Sequence, residues 1–97
     1  MWNPEDVTSY NVLVQVHLRP GIADPQGATI ERSLATLGFP GVSDVRMGKA
    51  IVFTLEAESE MAATAEVDEL CRRFLINPVI EDAVISMTEA DRAASGR

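Results

Sequence analysis

Polar and apolar residues alternate most cleanly between Tyr10 and Leu18. Tyr10, Val12, Val14, Val16 and Leu18 fall on one side, and Asn11, Leu13, Gln15 and His17 on the other. A period of two is the mark of a strand, and this one has a fully apolar face. Its second face is mixed, which suits a sheet covered on one side by helices and on the other left open or met by a partner.

Arg19, Pro20 and Gly21 break the alternation. Asp24 followed by Pro25 then has the form of a helix N-cap with proline at the first helical position. The predicted helix carries Ile30, Leu34 and Leu37 at helical spacing, turns Glu31 and Arg32 to water, and stops at Gly38, with Pro40 and Gly41 behind it. Two short strands are predicted next, Val42 to Met47 and Ala50 to Glu56, joined as a hairpin around Gly48 and Lys49.

A second helix is expected from about Ser59 to Ile76, with Ala63, Val67, Leu70, Cys71 and Phe74 forming its apolar stripe. Pro78 ends it, and Val79 to Met87 supplies a last strand of less regular alternation. The order β-α-β-β-α-β predicts an α+β fold of two layers, a four-stranded, mostly antiparallel sheet with helices packed on one side. Residues 10–87 form the domain, 1–9 a flexible leader and 88–97 a C-terminal tail. Trp2 in the leader has two readings, an extension without structure and a partner anchor.

Composition narrows the chemistry. With 97 residues the chain holds one domain with a modest core and has no room for a second. Fifteen acidic against eight basic side chains give a net charge of -7, so the mean field opposes nucleic acid. The strands also lack the paired exposed aromatics of an RNA-binding sheet. No segment approaches the ~18 apolar residues expected of a membrane span. Residues 1–9 carry Glu5 and Asp6 and have neither the basic region nor the apolar core of a signal peptide. One cysteine forms no internal disulfide and gives no sign of an oxidising compartment, so a cytoplasmic location is expected.

Catalytic candidates are few. His17 lies among polar alternate positions, Gln15 and Arg19, which favours a solvent or interface role over acid-base work. Cys71 falls on the apolar stripe and reads as a buried structural thiol. The acidic run Glu56, Glu58, Glu60, Glu66, Asp68 and Glu69 lacks calcium-loop spacing and reads as a solvated face or partner surface. Glu81 and Asp82 are adjacent on a strand, point to opposite faces and make a poor paired-carboxylate site. Asp24-Pro25-Gln26-Gly27 is accounted for by capping and turn geometry, with an interface role open beside it. Arg46-Met47-Gly48-Lys49 places two cations about a turn that could meet a phosphate or an acidic protein surface.

Four features in this order and spacing resemble the PurS family, the small subunit of phosphoribosylformylglycinamidine synthase. They are the strand Tyr10 to Leu18, the Asp24-Pro25-Gln26-Gly27 turn, Val45-Arg46-Met47-Gly48-Lys49, and Asn77-Pro78-Val79-Ile80-Glu81-Asp82. The resemblance covers roughly residues 10–87 and assigns no role to leader or tail. It implies a non-catalytic subunit that organises a large, PurL-like synthetase and a PurQ-like glutaminase for ammonia transfer in de novo purine biosynthesis. ATP and Mg would be used by the large partner, with no cofactor bound by this chain. The implied assembly includes a homodimer, with higher oligomers left open. Interface candidates are then Asp24, Gln26, Arg46, Lys49, Asn77, Glu81 and Asp82, with Gly27, Gly48 and Pro78 shaping the backbone. The rival reading is a small-molecule-sensing regulatory domain that holds a metabolite between paired sheets.

Overall fold

The computed structural model describes residues 7–90. The strand predicted at the N-terminal end is present as β1, Thr8–Leu18, and it occupies the centre of a three-stranded sheet in the order β2-β1-β3. Both neighbours, β2 (Gly48–Ala57) and β3 (Glu81–Glu89), run antiparallel to it. Tyr10, Val12 and Val14 stand opposite Leu55, Phe53 and Ile51 on β2, and opposite Glu89, Met87 and Ile85 on β3. The period of two therefore places one apolar row per strand on the same face.

Helix α2 (Glu60–Leu70) covers that face. Ser59 caps it, its hydroxyl accepting from the Ala62 N–H at 3.1 Å. Ala63, Val67 and Cys71 meet Tyr10, Val12, Val14, Val16 and Ala57 in the buried core, which Phe53, Leu55, Ile85 and Met87 flank. Val12, Val14, Val16 and Val67 are almost wholly enclosed. Burial of each such side chain contributes about 1.5–3 kcal/mol.

Four sequence expectations are corrected. Among the described residues the sheet has three strands, since 42–47 forms no strand and no hairpin. Asp44 sits at φ 58°, outside the extended region. The N–H groups of Val45 and Met47 are taken by Glu31 Oε1 at 3.1 Å and Asp24 Oδ2 at 2.8 Å. Side chains of the first helix thus hold this segment as a strap and leave it no ladder to join.

The second correction concerns the first helix, α1, Pro25–Thr36. Its start at Pro25 and its stop before Gly38, which adopts φ 103°, follow the sequence reading. Its stripe does not reach the core, because Ile30 and Leu37 are exposed and no α1 side chain belongs to the buried cluster. Among the described residues only α2 forms a helical layer over the strands.

Third, α2 passes into a π-helical turn over Cys71–Leu75, closed by the Ile76 N–H on the Cys71 carbonyl at 3.1 Å. That wider turn rotates Phe74 off the stripe to 82% exposure, and Leu75 packs against the core instead. Last, strand pairing extends beyond the expected limits at both ends. Thr8 and Ser9 pair with Ala57 and Glu56, Thr88 pairs with Asn11, and the Ala90 N–H reaches the Ser9 carbonyl. Trp2 and residues 91–97 lie outside the described residues.

Candidate functional site

Five of the interface candidates, Asp24, Gln26, Gly48, Lys49 and Glu81, gather at the end of the sheet where β1 leaves and β2 enters, around an open cavity of about 260 Å³. Val16 and Leu18 form its apolar floor, and Asp24, Gln26, Gly48, Lys49 and Glu81 line the remainder. Four segments, the end of β1, the start of the first helix, the start of β2 and the start of β3, thereby share one space.

Asp24 is the hub. It is the N-cap of α1, and its Oδ1 accepts from the Gly27 N–H at 2.9 Å while Oδ2 accepts from the Met47 N–H at 2.8 Å. Arg46 Nε stands 4.0 Å from the same Oδ2, and an Arg46 Nη donates to the Ile22 carbonyl at 3.4 Å. The bond from Gly27, then that from Met47, hold the Asp24 carboxyl below its ordinary value; burial opposes them and Arg46 assists. Gly27 is obligatory at this hub, since a Cβ there would overlap the Val45 carbonyl oxygen and stand 2.7 Å from Asp24 Oδ2. Gly48 opens β2 for a similar reason, with the Val16 carbonyl oxygen 2.7 Å from where a Cβ would lie.

The opposite wall is the turn into β3. Asn77 Oδ1 accepts from the Val79 N–H at 3.1 Å, and the Asn77 carbonyl accepts from Ile80 and Glu81. Glu81 Oε1 accepts from the Asn77 N–H at 2.7 Å, and its Oε2 lies 3.6 Å from Lys49 Nζ. Pro78 sits within that turn. Gln26 is exposed on the cavity wall.

Asp82 is separated from this group. Glu81 is opposite Leu18 on the core-side face, whereas Asp82 is opposite His17 on the outer face and pairs with Arg19 at 3.3 Å. The residues with nucleophilic or proton-transfer chemistry are also apart. His17 is exposed on the outer face, and Cys71 is buried beneath α2. Burial, and secondarily Asp68, push the Cys71 thiol up against the weaker opposing effect of Arg72, which keeps it a thiol rather than a thiolate. Among the described residues no group of three or more His, Cys, Asp or Glu could hold a metal ion, and no helix is long and apolar enough to cross a membrane.

Two participants escaped the sequence reading. Glu31, assigned to water, holds the Val45 N–H, and Arg19 binds β3 through Asp82 and the turn before it through its own N–H to the Ile80 carbonyl at 2.8 Å. Neither has a local signal, because each partner lies far along the chain.

The arrangement consists of ion pairs and backbone bonds that fix one end of the sheet, and comparison with known proteins gives it a family. A family model described as PurS, phosphoribosylformylglycinamidine (FGAM) synthase, matches residues 11–89. The chain is 40% identical over 87 residues to the PurS subunit of phosphoribosylformylglycinamidine synthase from Synechocystis sp., covering 90% of this chain and 87% of that one. The fold is similar to Methanocaldococcus jannaschii PurS, with a TM-score of 0.76 and 36% identity over 84% of this chain and 99% of that one. A chain of the PurLQS structure from Thermotoga maritima matches with a TM-score of 0.74 and 33% identity, over 84% of this chain and 98% of that one. A small α+β chain with a polar end to its sheet thus belongs to the PurS family of phosphoribosylformylglycinamidine synthase subunits.

Proposed function

We propose that this chain is the organising subunit of a phosphoribosylformylglycinamidine synthase in purine biosynthesis, and that the chemistry resides in a larger synthetase and a glutaminase. The similarity to a chain solved within PurLQS carries this reading. The cavity at the sheet end supports it, since its carboxylates are committed to backbone N–H groups, Arg46 and Lys49 and hold segments in place. ATP and Mg act in the large partner, ammonia comes from the glutaminase, and this chain binds no cofactor. Its contribution is alignment: two sites that exchange a reactive small molecule work faster when held in register and shielded from water.

The chain also pairs with a second copy. Ile30, Leu37, Phe39 and Val42 leave an apolar surface along α1 and the turn behind it, with no cover from the chain's own sheet. Helix α1 carries one acid and one base, Glu31 and Arg32, so two copies can meet there without repulsion. The candidates Asp24, Gln26, Arg46, Lys49, Asn77 and Glu81 form a polar rim that orients the partners.

Reconstitution tests this. Purified chain alone should neither hydrolyse glutamine nor consume ATP, and glutamine-dependent synthesis should require all three components. Turnover by the isolated chain, or full synthesis with it omitted, would overturn the proposal.

A further inference from the structure

Two surfaces of this chain are incomplete in complementary ways. A helix about 10 Å across covers about two strands of a sheet whose strands lie about 4.8 Å apart. Among the described residues α2 is the helix over this three-stranded face, and Ile51, Phe53 and Leu55 on β2 stay only half-buried. On the other flank, Leu75 and Ile76 pack against the core just ahead of the turn into β3. The β2 row has room for a second helix.

Helix α1 has the surface for that place and does not reach it within its own chain. Its first turn stands at the end of the sheet beside Val16 and Leu18. Asp24 and Glu31 hold the N–H groups of Met47 and Val45, so α1 lies against the strap and contributes nothing to the core. Along it, Ile30 and Leu37 are exposed and Leu34 is half-buried.

We infer that α1 of a second copy lies along the row Ile51, Phe53 and Leu55, and that the exchange is reciprocal, each sheet receiving its second helix from the other copy. This rests on the self-pairing proposed above and names the surface that receives α1. The lengths agree, since Ile30 to Leu37 spans about 10 Å of helix axis and Ile51 to Leu55 about 14 Å of strand. A stable interface takes about 800 Å² from each partner, more than one crossing of two short helices supplies. Reciprocal exchange engages both α1 and the β2 row of each chain.

Charge favours the same placement. Exposed Arg32 donates to Thr29 Oγ1 at 3.3 Å and has no carboxylate partner among the described residues. The α2 helix, beside which the incoming α1 lies, carries Glu60, Glu66 and Asp68, which join no ion pair among the described residues. A cationic helix edge therefore meets an acidic one.

Cross-linking of mixed chains tests the exchange. A Leu37→Cys chain mixed with an Ile51→Cys chain and treated with a short bismaleimide should give a covalent heterodimer, while wild type, whose Cys71 is buried, gives none. Phe53→Cys serves where Ile51→Cys does not fold. Absence of the heterodimer, or a Leu37→Cys chain that links to itself as readily, overturns the exchange and leaves self-pairing standing. Arg32→Glu, at an exposed position, should weaken self-association about fivefold in sedimentation. Unchanged association removes α1 from beside α2 and overturns the inference. A wild-type chain that stays monomeric overturns self-pairing itself, and this inference with it.

Discussion

The two helices have comparable length and each carries apolar side chains at helical spacing, yet they do opposite things with them. Helix α2 turns Ala63 and Val67 into the sheet and, with Cys71 just beyond its end, forms the helical half of the core. Helix α1 keeps Ile30 and Leu37 exposed, while its N-terminus carries the polar hub at Asp24. An amphipathic stripe states that apolar surface should be covered and does not say by which chain. In α2 the cover is internal. In α1 the proposed cover is a second copy.

Substituting the two stripes separates these roles. Val67→Asp places an uncompensated charge in the core and should cost about 3–5 kcal/mol of unfolding free energy in urea titration. A loss under about 1 kcal/mol would mean that α2 is not the packed helix. Next in size is Gly27→Ala, where a methyl group meets the Val45 carbonyl oxygen and the Asp24 carboxylate. Overpacking of that kind costs about 1–3 kcal/mol, read from the same titration.

Leu37→Ser should act differently. At 71% exposure it removes little from the chain's own core, so unfolding of the separated chain should change by less than about 0.5 kcal/mol. Self-association should weaken by about tenfold in sedimentation experiments. Equal association with and without Leu37 would erase the contrast between the helices.

The smallest effect concerns pH. Because the folded Asp24 carboxyl lies below its ordinary value of 3.8, its contribution to stability is complete above that value. It is lost as pH falls through the lowered folded value. Asp24→Asn should flatten the dependence of the urea midpoint on pH below about 4. An unchanged acid profile would show that Asp24 is not the titrating latch between α1 and the strap at 45–47.

Much of this was legible in the residues. The alternation from Tyr10 to Leu18 specifies a strand and its buried face, and β1 uses that face. Asp24 and Pro25 announce the start of α1, and the Asp24 side chain caps it. The opposite orientation of Glu81 and Asp82 follows from the pleat and is seen in the register. Asp24, Lys49 and Glu81 line one cavity, with Arg46 beside Asp24 and Asn77 bonded to Glu81, a convergence that sequence spacing alone could not state. Phe74 defeated the helical period because one wider turn shifts every later residue around the axis.

The sequence by itself determined β1, β2, the two helices and their caps, since each depends on neighbours a few positions away, and the acidic balance, which is composition alone. Tertiary structure decided the fate of residues 42–47, the exposure of the α1 stripe and the assembly of the polar end of the sheet. The physical reason lies in distant side chains claiming backbone donors. Glu31 and Asp24 bind the N–H groups of Val45 and Met47, and a segment with β-forming residues becomes a strap instead of a fourth strand.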